Sequence, residues 1–133
     1  MKEPVIAVVD DDESACEGTM DLLKAMGFAT RSSRSAEDFL RSGQLGSASC
    51  LIADMRMPGM TGLDLHSRLV QSGEAIPTIL ITAFPNDRDR ARALNAGVVC
   101  YLVKPFNDEE LLRCIRTALG SRRGGKPDRK SVV

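Results

Sequence analysis

The stretch that decides the fold is residues 50–62, with the sequence CLIADMRMPGMTG. Its apolar run, residues 50–53, is too short for a buried helix and predicts a buried strand. The strand ends at Asp54, and Pro58, Gly59 and Gly62 indicate that a loop follows. In open α/β sheets, ligands bind at this carboxyl edge of the strands. Taken alone, Asp54 is also explained as the start of a turn, so the other strand ends must decide its role.

Length and charge limit the class of protein. The 133 residues suit one domain with a substantial core. Basic and acidic residues balance at 18 each, although residues 121–133 hold five basic residues and one Asp, which leaves residues 1–120 net acidic by four. No apolar run approaches the roughly 20 residues of a membrane span, and the N-terminus does not resemble a signal peptide. We therefore expect a cytoplasmic protein that contacts no membrane.

The cysteines and the single histidine suggest packing roles. Cys16, Cys50, Cys100 and Cys114 show no CxxC spacing and lie in apolar strand or helix patterns. This pattern favours small buried hydrophobic groups in a reducing compartment over metal ligands or disulfides. His66 lies in the middle of a predicted helix and is interpreted as a surface or packing residue.

Apolar strands and amphipathic helices alternate five times. Strands are predicted at residues 5–9, 28–32, 50–53, 77–81 and 98–103, and helices after each of them, the third at 63–72, the fourth at 87–96 and the last ending at Gly120. Such alternation predicts a parallel sheet covered on both faces, and right-handed crossovers make it a doubly wound α/β fold. Residues 4–120 form this domain, and the basic residues 121–133 are predicted to be a disordered tail or linker.

The predicted helices differ in apolar content. The first carries Ala15, Leu22, Leu23 and Met26 on one stripe, and the second begins at Ser35, whose spacing to Asp38 is a capping signal. The third directs Leu65, Leu69 and Val70 inward, and the fifth begins at Asn107 and directs Leu111, Leu112, Ile115, Ala118 and Leu119 inward. The fourth is rich in arginine and has little apolar surface, so we expect it to be the least firmly held.

Polar side chains follow four of the five strands. Asp10 and Asp11 follow the first, Asp54 the third, Thr82 the fourth and Lys104 the fifth. Parallel strands place these residues at one edge of the sheet, where three crowded carboxylates need positive charge. Lys104 supplies one charge, and Mg²⁺, which prefers oxygen ligands, is the natural second. A carboxylate can itself accept a phosphoryl group, so the set indicates phosphoryl chemistry at an aspartate. Asp12, the third acid of the run, is interpreted as a helix N-cap.

These motifs resemble the receiver domain of response regulators in two-component signalling. The resemblance rests on Asp10-Asp11, Asp54 with Met57-Pro58 and Gly62, Thr82-Ala83, and Lys104-Pro105-Phe106. It covers about residues 4–120, and the run around Arg56 is most similar to receivers of the nitrogen-fixation regulator type. It implies a flavodoxin-like five-stranded sheet of order 2-1-3-4-5 with five helices.

The resemblance also implies roles for individual residues. Asp54 is the phosphoacceptor, and Thr82 and Lys104 bind the phosphoryl group. Mg²⁺ is held by Asp11, by Asp54, by the backbone carbonyl of Arg56 and, through water, by Asp10. Thr82 and Tyr101 form the switch, in which Tyr101 turns inward after phosphorylation. The Lys104–Pro105 peptide is expected to be cis. Side chains near the phosphate that set the acyl-phosphate lifetime are expected at Arg56, Ala83 and Phe84.

The function implied is a signalling switch and not an enzyme acting on a separate substrate. A histidine kinase or phosphotransfer protein donates to Asp54, and the face of the fourth helix, fifth strand and fifth helix changes partners, with a homodimer possible there. Alternatives are a receiver fragment of a longer DNA-binding regulator, a degenerate receiver used only for docking, and a Mg²⁺-dependent phosphohydrolase. No direct nucleic-acid contact is expected from this domain, since no helix-turn-helix follows Gly120.

Overall fold

The computed structural model describes residues 3–43 and 45–124. Five strands and five helices alternate along these residues. The strands are β1 (Val5–Val9), β2 (Ala29–Ser33), β3 (Cys50–Asp54), β4 (Thr78–Thr82) and β5 (Cys100–Val103). The helices are α1 (Glu13–Ala25), α2 (Ala36–Arg41), α3 (Gly62–Gln71), α4 (Asp87–Asn95) and α5 (Asp108–Gly124). The element order is the one predicted from the alternating patterns, with boundaries shifted by one or two residues in most elements.

The strands form one parallel sheet of order β2-β1-β3-β4-β5, as predicted. The register pairs Val9 with Ala53 and Thr82 with Val103, so the carboxyl ends of the strands meet at one edge. Every residue of β3 and β4 is buried, which is typical of central parallel strands, whereas the edge strand β2 is partly exposed.

Two apolar layers cover the two faces of the sheet. One layer joins Leu23 of α1 to Leu111 and Ile115 of α5. The other joins Phe39 of α2, Leu65 and Leu69 of α3 and Ala93 of α4. The helices therefore cover both faces of the sheet because each has an apolar face that packs against it.

Some predicted inward faces were wrong in detail. In α1 the buried stripe is Cys16, Thr19 and Leu23, while Ala15, Leu22 and Met26 are only partly buried. In α3, Val70 is 49% exposed, because the helix directs Leu65, His66 and Leu69 to the sheet. In α5, Leu112 and Leu119 are partly buried and Cys114 takes a fully inward position.

The last helix is longer than predicted. It continues past Gly120 to Gly124, so the boundary at residue 120 was wrong for the secondary structure. A glycine inside a helix costs about 1 kcal/mol relative to alanine but leaves the backbone hydrogen bonds in place, so it does not by itself end a helix. Residues 125–133, the rest of the predicted tail, lie outside the described residues. Across the described part of the chain, no helix has the length and apolarity that a membrane span requires.

Candidate functional site

The carboxyl edge of the sheet gathers the polar side chains that the sequence placed at strand ends. One carboxylate oxygen each of Asp10, Asp11 and Asp54 lies within 4.8 Å of the others. Asp10 is fully buried and Asp54 is only 6% exposed, whereas Asp11 is exposed to solvent. The site thus has two shielded carboxylates and one that faces water.

Backbone amides fix the orientation of both shielded carboxylates. The amide of Arg56 donates to Asp54 Oδ1 at 2.9 Å, and the amide of Asp12 donates to Asp10 Oδ1 at 3.0 Å. Each bond joins a residue to the one two positions before it, as in a local turn. The Asp12 side chain is used differently: it accepts from the Ala15 amide and caps α1, as predicted.

Lys104 joins the other oxygens of the same two carboxylates. Its Nζ lies 3.0 Å from Asp54 Oδ2 and 3.4 Å from Asp10 Oδ2. Burial would lower the pKa of Lys104, but the hydrogen bond that Lys104 donates to Asp54 and the negative charges of Asp10 and Asp54 outweigh it, so the pKa is raised. The pKa of Asp10 is raised as well, chiefly by burial and further by the charge of Asp54. Lys104 is therefore held as a cation between two carboxylates.

The donor set fits a hard divalent cation. Three carboxylates and one ammonium leave an excess of negative charge. Burial, together with the charge of Asp54, raises the pKa of Asp10. Carboxylate oxygens are the ligands that Mg²⁺ prefers, commonly one or two of them with water and phosphate. Asp11 and Asp54 are the expected direct ligands, and this edge of the sheet meets the chemistry such an ion requires.

Gly62 lets α3 approach the end of β3 closely. A Cβ on this residue would lie 2.6 Å from the carbonyl oxygen of Asp54 and 2.8 Å from Leu80 Cδ2. Thr61, just before it, forms a complete capping box with Asp64. In the sequence, Gly62 marks a loop and belongs to the motifs that resemble receiver domains, but neither observation indicates its close packing, and the cap at Thr61 was not predicted.

Thr82 and Tyr101, the two residues predicted to form the switch, lie on the neighbouring strands β4 and β5. Thr82 is fully buried and its Oγ1 accepts from the Phe84 amide at 3.0 Å, while the Phe84 side chain is exposed. Tyr101 is 8% exposed, and its hydroxyl accepts from the Asn86 amide at 3.4 Å. Asn86 is the N-cap of α4. Tyr101 is thus already buried in this structure, which is the position that the predicted inward turn would give it.

An ion pair between α4 and the loop after β3, residues 55–61, was not predicted. Arg56 Nη2 lies 3.6 Å from Asp89 Oδ2, and Arg92 Nη1 lies 3.5 Å from Asp89 Oδ1. Sequence spacing gives no signal for such a pair, since Arg56 and Asp89 belong to different β–α units. The helical spacing of Asp89 and Arg92 is the part that a sequence pattern can indicate.

The remaining predicted residues lie as follows. The Lys104–Pro105 peptide is cis, as expected. Ala83 and Phe84 follow Thr82 on the exposed loop toward α4. His66 is buried in α3, in the packing role considered for it, and its Nδ1 has no hydrogen-bond partner among the described residues. All four cysteines are free, and burial raises the pKa of Cys50 to about 12, which makes it a poor nucleophile.

Comparison with known proteins agrees with this geometry. The family model of the response regulator receiver domain matches residues 6–116. The chain therefore belongs to the response regulator receiver domain family, whose members are signalling regulators of two-component systems.

Individual relatives give the degree of similarity. Response regulator protein TmoT of Ectopseudomonas mendocina is 41% identical over 119 residues, which cover 89% of this chain and 54% of TmoT. Transcriptional regulatory protein FixJ of Azorhizobium caulinodans is 32% identical over 130 residues, 96% of this chain and 62% of FixJ. A solved structure titled FixJ-N aligns with a TM-score of 0.80 at 31% identity, over 90% of this chain and 95% of that one. The chain thus spans little more than half of the full-length regulators.

Proposed function

We propose that the protein is a phosphorylation switch in which Asp54 accepts a phosphoryl group from a histidine kinase or phosphotransfer protein. The observation that carries the proposal is the environment of Asp54. Its two oxygens are held by the Arg56 amide and by Lys104, and two further carboxylates lie close by. A carboxylate held in this way is positioned for attack, and charge neutralisation with positioning is most of what phosphoryl transfer requires.

The chemistry balances without any further acid or base. An Asp54 oxygen attacks the phosphorus, the bond from phosphorus to the donor nitrogen breaks, and its electron pair stays on that nitrogen. Lys104, already 3.0 Å from Asp54 Oδ2, stabilises the negative charge on the transferring group, and buried Thr82 is the hydroxyl proposed to bind it. Mg²⁺, held by Asp11, Asp54 and the Arg56 carbonyl with Asp10 behind a water, would neutralise charge on the same group. Water later attacks the phosphorus, the bond from phosphorus to the Asp54 oxygen breaks, and the group leaves as inorganic phosphate that retains the protons of the water, which restores the carboxylate.

An apolar cleft beside the site suits the approach of the donor. The cleft, of about 490 Å³, lies between α1 and the loop after β5, with Leu22 and Phe106 among its walls. Lys104 lines this cleft and also contacts Asp54, so Lys104 connects the cleft to the proposed acceptor. We assign it to the helix that carries the donor histidine.

The output surface is assigned to α4, β5 and α5. Exposed apolar side chains on or next to this surface are Phe84, Leu94 and Val103. Charged residues of both signs surround them, including Arg88 and Arg90 on α4 and Asp108 and Glu109 on α5. A surface with both charges can meet a second copy of itself across a two-fold axis, so we propose a homodimer that weakens with salt.

The chain is proposed to work within a longer regulator. It spans about half of TmoT and TodT, with 54% and 51% of their lengths covered, and FixJ is named as a transcriptional regulator. In that arrangement this domain contacts protein partners in the cytoplasm, and nucleic acid is contacted by another part of the protein. The alternative is a receiver that acts alone through protein contacts.

Two other functions are less well supported by the site. A phosphohydrolase of the aspartyl-phosphate type needs a second acid two residues after its nucleophile, and this chain has Arg56 there. A degenerate receiver used only for docking has no need of Asp10, Asp11, Asp54, Thr82 and Lys104 together. The site therefore favours the switch, which promotes its own phosphorylation and dephosphorylation but acts on no separate substrate.

Acetyl phosphate with Mg²⁺, followed by intact-mass measurement, tests this function. The parent should gain the mass of one phosphoryl group, and Asp54→Asn should gain none while remaining folded. Asp87→Asn, which removes an exposed acid at the start of α4, is the matched control and should behave as the parent. Chelation of Mg²⁺ should suppress the gain. Equal labelling of Asp54→Asn and the parent would move the acceptor elsewhere.

A further inference from the structure

The ion pair between Arg56 and Asp89 connects residues 55–61, which follow Asp54 and are called the acceptor loop from here on, to α4 of the proposed output surface. Asp89 is 15% exposed at its side chain and lies between two guanidinium groups, those of Arg56 and Arg92. Asp89 is also the third residue of α4, and its amide donates to the N-cap Asn86 at 2.8 Å. The pair therefore ends on the first turn of α4, the part of the helix nearest to the site.

Little else holds that first turn. Of the nine residues of α4, all within the described part of the chain, Ala93 is the buried one, and it lies in the second half of the helix. The N-cap itself is held by a long hydrogen bond from its amide to the Tyr101 hydroxyl, at 3.4 Å. A half-exposed ion pair of modest strength can therefore matter to the position of this turn.

Arg56 also stands within reach of the phosphoacceptor. Its own amide is 2.9 Å from Asp54 Oδ1, so its side chain starts beside the oxygens that would carry a phosphoryl group. A cavity of about 290 Å³ between the acceptor loop and α4, lined by Arg56, Thr61 and Asp89 among others, gives the guanidinium room to move. A phosphoryl group carries up to about two negative charges and binds a guanidinium through two hydrogen bonds, so it competes well against one carboxylate at 3.6 Å.

We propose that Arg56 is a positioning residue that exchanges partners: it pairs with Asp89 before phosphorylation and with the phosphoryl group on Asp54 afterwards. This inference rests on the proposed function of Asp54. The exchange releases the first turn of α4 from the acceptor loop, and Asp89 then keeps only the ion pair with Arg92 of its two among the described residues. It gives the buried site a mechanical connection to the output surface that does not require Tyr101 to turn.

The exchange has a thermodynamic consequence. If the phosphoryl group must take Arg56 from Asp89, then the pair with Asp89 opposes phosphoryl binding, and by reciprocity phosphoryl binding opposes the pair. Removing the charge of Asp89 should therefore strengthen binding of a phosphoryl analogue. The expected gain is about two- to fivefold, the range that an exposed ion pair supplies. Arg92 offers no such competition, since no contact joins it to the acceptor loop among the described ion pairs.

Calorimetric titration with beryllofluoride in the presence of Mg²⁺ tests the exchange. Asp89→Asn should bind more tightly than the parent. Asp87→Asn removes the same charge from the same first turn without touching Arg56, so it reports the general effect of charge and should bind as the parent does. Arg56→Gln keeps the backbone carbonyl and should bind more weakly. In the Arg56→Gln background, Asp89→Asn should have no further effect, which is the signature of a shared interaction in a double-mutant cycle.

Hydrogen exchange supplies the second measurement. Without beryllofluoride, Asp89→Asn should exchange faster than the parent over residues 87–95 and equally over residues 62–71, which shows that the fold is intact. Equal affinities of Asp89→Asn and Asp87→Asn, or an Asp89→Asn gain that persists without Arg56, would overturn the exchange while leaving the phosphoacceptor standing. A parent protein that fails to bind beryllofluoride would refute the function of Asp54, and the exchange with it.

Discussion

Helices α3 and α4 follow neighbouring central strands and flank the same site, yet they are held in different ways. α3 buries five of its ten residues and begins with a complete capping box. α4 buries Ala93 alone among its nine, all of them described, and three of the nine are arginines. One side of the site around Asp54 is thus fixed to the core, and the other is held by a few polar contacts.

This difference suits the proposed switch. An aspartate that accepts a phosphoryl group needs a rigid support, and Gly62 and α3 pack directly against the Asp54 backbone. The proposed output surface must respond to a small chemical change, and a helix with little buried apolar area moves at low cost. In the proposed switch, α3 therefore supports the reacting residue and α4 transmits the change.

The largest expected difference between the two helices is the free energy of unfolding that is lost when a leucine of each is replaced by alanine. Leu69 of α3 is fully buried, whereas Leu94 of α4 is 41% exposed. Leu69→Ala should lower the free energy of unfolding by about 2–5 kcal/mol, because it leaves a cavity in the core. Leu94→Ala should cost about 1 kcal/mol or less. Urea unfolding of both variants measures the comparison, and similar losses would mean that α4 is held as firmly as α3.

A second prediction concerns the close approach of α3 to the acceptor strand. Gly62→Ala should lower the free energy of unfolding by about 1–3 kcal/mol, since the added methyl overlaps the Asp54 carbonyl and Leu80. Gly18→Ala in α1 is the control, because nothing lies within 4 Å of its added Cβ. That variant should gain about 0.5–1 kcal/mol from helix propensity. A Gly62→Ala protein as stable as the parent would show that α3 can move away from β3 without cost.

The smallest expected effect is a pH dependence of stability that comes from His66 in α3. Burial lowers the pKa of His66, so below about pH 6.5 the unfolded state binds more protons than the folded state. The free energy of unfolding should therefore fall as the pH decreases through that region, and His66 should have no effect above it. His66→Leu should remove this part of the pH dependence. Urea unfolding at about pH 5 and about pH 8 measures it, and an equal loss in parent and variant would show that His66 does not contribute.

The sequence allowed the strands, the helix order and the clustered strand-end residues to be predicted, for physical reasons. Continuous apolar runs such as residues 50–53 have few alternatives in a small domain, and parallel strands bring their carboxyl ends to one edge. The gathering of Asp10, Asp11 and Asp54 follows from the topology alone. Asp12 as an N-cap follows from local geometry, which is also readable from sequence.

The features that could not be predicted from the sequence depend on how separate helices and strands pack against one another. The pairing of Arg56 with Asp89 and the burial of Tyr101 under the start of α4 arise from how two β–α units pack. Val70 was assigned to the wrong face because two neighbouring apolar residues, Leu69 and Val70, both fit the helical period. The length of α5 was underestimated because glycine was taken as a helix stop.

Hydrogen exchange with and without beryllofluoride and Mg²⁺ tests the central claim most directly, since it follows α3 and α4 in the same sample. We predict that protection changes across residues 84–119, most strongly in the first turn of α4, while residues 62–71 of α3 stay as protected as before. Changes confined to residues 14–43, with residues 84–119 unaltered, would contradict the account and place the responding surface on the other side of the sheet.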